Sequence, residues 1–155
     1  MRNTLFLFAL TLPLIGLGQT PSDTLSRFLE PAAVTAVRAT ERAPFAAETL
    51  DAEEIADRNT GQDLPYVLRY TPSVVVTSDA GAGVGYTGLR IRGTDPTRIN
   101  VTLNGIPIND SESQAVFWVN MPDLASATDD IQVQRGVGTS TLGAGAFGAT
   151  ISLNT

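Results

Sequence analysis

The 155-residue chain has no cysteine, no histidine and no lysine. Without cysteine there is neither a disulfide nor a thiolate, so the fold rests on burial and hydrogen bonding alone. Without histidine the commonest general base and metal ligand is missing, and any metal or acid–base chemistry falls to carboxylates. All ten basic residues are arginines, set against sixteen acids for a net charge of −6. That balance argues against nucleic acid as a partner, since neutralising phosphates needs a basic face. Long apolar runs are also absent: the best, from Leu5 to Leu17, is shorter than the roughly 20 residues a membrane-spanning helix needs. With Arg2 ahead of it and Gly16-Leu17-Gly18 behind, it reads as a secretory signal peptide over residues 1–18, cut before Gln19.

The rest is the size of one ordinary domain behind a leader. Residues 19–31 are polar and carry no sustained period, as expected of a flexible leader, which we extend to residue 42. Within it, Ala32 to Ala39 has strand-like character without a nearby turn partner. Phe45 to Leu50 reads as a short strand, and Asp51 with Glu54 three positions on reads as a helix-opening capping box, the helix ending near Arg58. Leu64, Val67 and Leu68 have helical spacing, with Pro65 in the first turn and Pro72 as the stop.

From Ser73 to Ser78 the chain is β-branched, and a glycine-rich loop follows. Leu89, Ile91, Ile99, Val101 and Leu103 then alternate with polar residues, and Asn104-Gly105 is the dipeptide suited to a tight type I′ hairpin. These segments are expected to be three strands of one sheet. A short helical turn is expected around Pro122 to Ala127. In "IQVQRG", Ile131 and Val133 should face inward and Gln132 and Gln134 outward, and Ala149 to Asn154 should be a last strand.

Motifs of catalytic appearance dissolve on inspection. Gly83-Gly85-Gly88 and Gly143-Gly145-Gly148 match G-x-G-x-x-G, yet both lead into strands, where no helix N-terminus awaits a pyrophosphate. Ser140 sits in a run that resembles a nucleophile elbow, but Leu142 replaces the required glycine and no histidine can serve as base. Glu53-Glu54 and Asp129-Asp130 are adjacent in sequence, so neither pair faces itself across a cleft. We expect no enzyme and no bound cofactor or metal. Phe117 and Trp118 cannot both point inward on an extended backbone, so one of them is expected to meet a ligand or partner.

With these elements in order, "DLPYVLRYTPSVVV", "LRIRGTDPTRINVTLNGIPIND" and "MPDLASATDDIQVQRGVGTSTLGAGAFGATISLNT" together resemble the plug domain of TonB-dependent outer-membrane receptors. That family imports siderophores, vitamin B12, haem and some oligosaccharides. The resemblance implies an α+β domain over residues 43–155, a small twisted mixed sheet with short helices, seated in a barrel of twenty-two strands. A chain this short cannot supply such a barrel, so a fragment of a longer receptor is favoured over a separately made plug. The resemblance also implies that TonB grips an N-terminal segment in the periplasm as an added strand. Val34, Thr35, Ala36 and Val37 look like the centre of that box, although the same residues also read as the first plug strand. Arg92 of "IRG" and Arg135 of "QRG" match arginines that lock the plug to barrel carboxylates, and without the barrel they should be exposed or poorly partnered. The family's topology turns two loops towards the ligand: one with Tyr86, the other with Asn109, Asp110, Ser111, Glu112, Phe117 and Trp118. The implied ligand is a siderophore–iron complex or similar small metal chelate, and the place is the outer membrane. A stand-alone secreted ligand-binding or adhesion module is the alternative.

Overall fold

A computed structural model describes residues 45–137 and 145–155. The expected signal peptide and leader, with the Val34–Val37 segment, lie outside the described residues. The described chain follows the order β1 (Ala47–Leu50), α1 (Ala52–Arg58), α2 (Leu64–Val67), β2 (Val74–Ser78), β3 (Thr87–Ile91), β4 (Ile99–Leu103), β5 (Ile106–Pro107), β6 (Asp130–Arg135), β7 (Ala149–Asn154). Single 3-10 turns fill in at Leu68–Tyr70, Pro96–Arg98, Trp118–Asn120 and Leu124–Ala127.

Both helices start where their local chemistry dictates. Asp51 Oδ1 accepts the backbone N–H of Glu54 at 2.9 Å, which satisfies one of the free donors that open α1. The reciprocal half of the box is not made; Glu54 turns instead to Arg58, one helical turn on, at 3.7 Å. In α2 the proline sits in the first turn, where its missing N–H costs nothing, and Leu64, Val67 and Leu68 bury their side chains together.

The main sheet has five strands in the order β1-β6-β7-β4-β5. All its neighbours are antiparallel except β4 and β7, which run parallel with Val101 beside Ile151. The last strand therefore lies at the sheet's centre. Ile131, Val133, Ile151, Leu153, Ile99 and Val101 form its apolar face and are fully buried with Leu50 and Ile55. Each contributes on the order of 1.5–3 kcal/mol by leaving water. Asn104 and Gly105 adopt φ of 50° and 82°, both in the left-handed region a type I′ turn requires, and Leu103 pairs with Ile106 across it.

Two expectations fail here. β3 does not join β4 and β5; it pairs antiparallel with β2 in a separate two-stranded sheet, with Val75 opposite Arg90. Arg92 and Gly93 cause the separation, since their φ values of 53° and 73° swing the chain out of plane before the Asp95-capped turn at Pro96–Arg98 begins β4. Leu89 and Ile91 still reach the common core. The second failure concerns Gln132 and Gln134, which are buried at 6% and 2% exposure. Period-2 alternation told which face they occupy, not that this face would be covered. Gln132 Nε2 donates to Thr49 Oγ1 at 3.1 Å across the β1–β6 pair. The Gln134 amide and the Thr150 hydroxyl opposite it are buried without a hydrogen-bond partner.

Candidate functional site

The glycine-rich loop 79–88, which runs into the start of β3, and the end of the loop 109–118 converge on one cleft of about 260 Å³. Its floor is Leu89, Ile99 and Val101, supplied by β3 and β4. Its walls include Tyr86 from the first loop and Phe117 and Trp118 from the second, with Thr77, Asp79 and Thr87 as polar lining. The loops expected to face a ligand are thus brought together although they are about 30 residues apart in sequence.

Each loop is held by a specific set of bonds. The first is fastened to the start of α2: the Asp63 N–H donates to Gly83 O at 2.8 Å, Gln62 Nε2 donates to Ala82 O at 2.8 Å, and the Thr87 hydroxyl donates to Asp63 Oδ2 at 2.7 Å. Gly83, at φ 80°, is also a close approach, since a Cβ there would stand 2.5 Å from Gln62 Nε2 and 3.0 Å from Tyr66. Asp63 is buried at the helix's N-cap position, yet its carboxylate serves the loop and not the helix. This anchoring had no short-range signal, because Asp63 and Thr87 meet only through the fold.

The second loop is organised by Asn109 and Asp110. Asn109 Oδ1 accepts from Val101 N at 2.8 Å, while its Nδ2 donates to Ile99 O and Gln114 O, both at 2.9 Å. Asp110 Oδ2 accepts from Ser113 N at 2.7 Å, from the Ser113 hydroxyl at 2.8 Å and from Glu112 N at 3.2 Å. The Ser113 bonds, backbone first, hold the Asp110 carboxyl below its ordinary value. Asn109 thus spends its side-chain polar atoms on the loop's own shape and the exposed Asp110 spends Oδ2 there, and neither lines the cleft. Ser111 and Glu112 remain exposed at the tip.

Of the adjacent aromatics, Trp118 turns into the core at 4% exposure and Phe117 stays 44% exposed. The 3-10 turn at Trp118–Asn120 decides which goes in. Trp118 is thus a wall of the cleft backed by core, and Phe117 with Tyr86, 69% exposed, offers the free aromatic surface. Thr77, Asp79 and Thr87 were not singled out in the sequence; only their strand and loop positions could have hinted at them.

The arginines of the two "RG" motifs lie elsewhere, Arg92 at the end of β3 and Arg135 at the end of β6. Arg92 is exposed, in a left-handed conformation rarely taken by residues other than glycine, and its Nη1 would stand 3.1 Å from a Cβ at Gly136. Arg135, which precedes Gly136 in the chain, donates from Nη1 to Pro72 O at 3.2 Å, while its Nε is buried without a partner. Among the described residues no carboxylate lies within ion-pair distance of either. Arg90 is different: it pairs with Asp95 at 3.6 Å. Asp95 sits below its ordinary value mainly through hydrogen bonds from Thr97, with Arg90 and Arg98 adding to the effect.

Among the described residues no group of three His, Cys, Asp or Glu side chains is placed to hold a metal ion, and no helix is long and apolar enough to cross a membrane. The arrangement can bind and present surfaces. A family model described as TonB-dependent Receptor Plug Domain matches residues 39–150. The ferric enterobactin receptor of Pseudomonas aeruginosa is 28% identical over 131 residues, which cover 78% of this chain and 17% of the relative. The ferrienterobactin receptor of Escherichia coli K12 is 26% identical over 147 residues, covering 88% and 20%. The chain thus spans a fifth or less of the length of these curated relatives. A crystal structure of a mutant P. aeruginosa ferric enterobactin receptor superposes with a TM-score of 0.57 at 26% identity, covering 75% of this chain and 18% of that one. The siderophore receptor PirA of Acinetobacter baumannii, at 23% identity and TM-score 0.55, shares the fold.

Proposed function

Because the chain belongs to the TonB-dependent receptor plug domain family, we propose that it is the gate of an outer-membrane receptor that imports a siderophore–iron complex or similar small chelate. The convergence of loops 79–88 and 109–118 on one aromatic cleft carries this reading, because a ligand reaching that end would meet a concave aromatic surface. The iron-chelate class is supported by the names of the relatives, both receptors for ferric enterobactin. Binding at the cleft needs no bond-making chemistry, in keeping with a transporter and not an enzyme.

The second part of the proposal concerns the rest of the receptor. Neither Arg92 nor Arg135 has a carboxylate within ion-pair distance among the described residues, and a guanidinium with a buried atom, as in Arg135, gains most from a paired, hydrogen-bonded acid. Carboxylates on the wall of a surrounding barrel supply that partner, so release of the pair accompanies opening. TonB supplies the pull by adding Val34–Val37 to its own sheet as a strand. Replacing Val34 or Val37 by proline in the receptor removes a ladder donor, so uptake of a radiolabelled ferric siderophore should be lost while surface binding stays. Normal uptake by both variants would overturn the assignment of the box.

A further inference from the structure

The relatives' ligand class leaves open what this cleft itself selects. Loop 79–88 contains one charged residue, Asp79, and loop 109–118 contains Asp110 and Glu112, with no arginine or lysine in either. Asp79 lines the cleft beside Tyr86, Phe117 and Trp118. The nearby cation Arg90 is occupied with Asp95. Arg92 and Arg135 do not line the cleft, and Arg135 bonds to Pro72. A negatively charged group entering here loses its water and meets the Asp79 carboxylate, with no arginine or lysine among the lining residues. An ammonium group meets the same carboxylate favourably and lies against aromatic faces that attract cations. At about 260 Å³ the cleft falls below the roughly 300–1,000 Å³ of sites that hold whole drug-sized ligands, so it suits one substituent of a larger molecule.

We propose that this cleft receives a positively charged, amine-bearing substituent of the ligand, with Asp79 as its counter-ion and Tyr86 and Phe117 as its aromatic walls. The proposal rests on the cleft being ligand-facing, as the transport reading has it, but its test needs no transport. Trp118 is the single tryptophan of the chain and forms part of the wall, so its fluorescence reports occupancy directly. The 155-residue chain is titrated with three probes of similar shape: benzyltrimethylammonium, benzyl alcohol and benzoate. The expected order of affinity is cation, then alcohol, then anion, with about tenfold between the first and last that shrinks in high salt. Asp79→Asn should weaken the cation severalfold and leave the alcohol unchanged, and Tyr86→Leu should weaken the cation more than the alcohol. Equal affinities, tighter binding of benzoate, no saturable binding by the cation, or an Asp79→Asn variant that keeps the cation's affinity would each overturn the proposal. None of those results bears on the proline variants at Val34 and Val37, whose uptake assay tests the transport reading separately.

Discussion

Replacing Gly148 by alanine should damage this fold through a single contact. Gly148 is pinned on both sides: its N–H donates to Arg98 O at 2.9 Å and its carbonyl accepts from Gly136 N at 2.8 Å. A Cβ added there would stand 2.7 Å from Thr94 Cβ, 3.0 Å from its Cγ2 and closer still to its hydroxyl. Rotating the threonine moves Cγ2 and the hydroxyl but leaves its Cβ in place, so the backbone must give way by about 1 Å. The φ of Gly148 lies outside the left-handed region, so alanine meets no dihedral objection and the cost is contact alone. Overpacking of this kind costs roughly 1–3 kcal/mol, and an obstacle fixed to the backbone points to the upper end. Urea unfolding followed by Trp118 fluorescence should then show a midpoint lower by roughly 1–2 M, at slopes of about 1–3 kcal/mol/M. Thr94→Gly is the companion variant. Alone it loses the hydroxyl's bond to Ile91 O at 2.7 Å and adds chain entropy, costing about 1–2 kcal/mol. Combined with Gly148→Ala it should recover most of the alanine's cost, a coupling of roughly 2 kcal/mol. An alanine variant with an unchanged midpoint, or additive costs in the double variant, would refute the steric argument.

Asn109→Ala removes the acceptor for Val101 N and the donor to Ile99 O and Gln114 O, so it should cost roughly 2–3 kcal/mol by thermal unfolding. Acid should weaken the fold through Asp95 and Asp110, whose carboxyls sit below the ordinary 3.8 when folded. Their contribution is fully present above the unfolded value and is lost as pH falls through the lower folded values, so urea midpoints should drop below about pH 4. Asp110→Ala should flatten part of that drop while lowering the midpoint at neutral pH.

Local chemistry made much of the fold legible. Asn104-Gly105 announced its hairpin because few residue pairs accept two left-handed positions, and Asp51 announced α1 because its side chain meets a free donor three residues on. Distant relations were less readable. Nothing within "LRIRGTDPTRIN" says that β3 leaves for another sheet, since the deciding event is the left-handed turn at Arg92-Gly93, and arginine is not a residue that advertises such a turn. Gln132 and Gln134 follow a solvent-facing pattern and are buried nonetheless, because alternation assigns a face without saying what lies against it. The candidate site shows the same division. Tyr86, Phe117 and Trp118, which the sequence puts on two loops, do line one cleft, while the choice of Trp118 over Phe117 for the core and the bonds by which Asn109 and Asp110 build their loop have no signal in the local pattern. Polar residues in a loop satisfy their neighbours' backbones before they meet anything else.

The central position of β7 has a consequence for how the domain comes into being. Six residues, Ala149 to Asn154, join β6 to β4; without them β1–β6 and β4–β5 are two separate hairpin-sized pieces with no shared ladder. In an exported chain threaded N-terminus first, those six emerge after every other described strand. The earlier strands must therefore wait, with Ile131, Val133 and Val101 lacking their central neighbours, until the last segment inserts between them. Assembly is then expected to end in one late, cooperative step dominated by distant pairings, which is slow by nature and leaves the unfinished strands open to a chaperone.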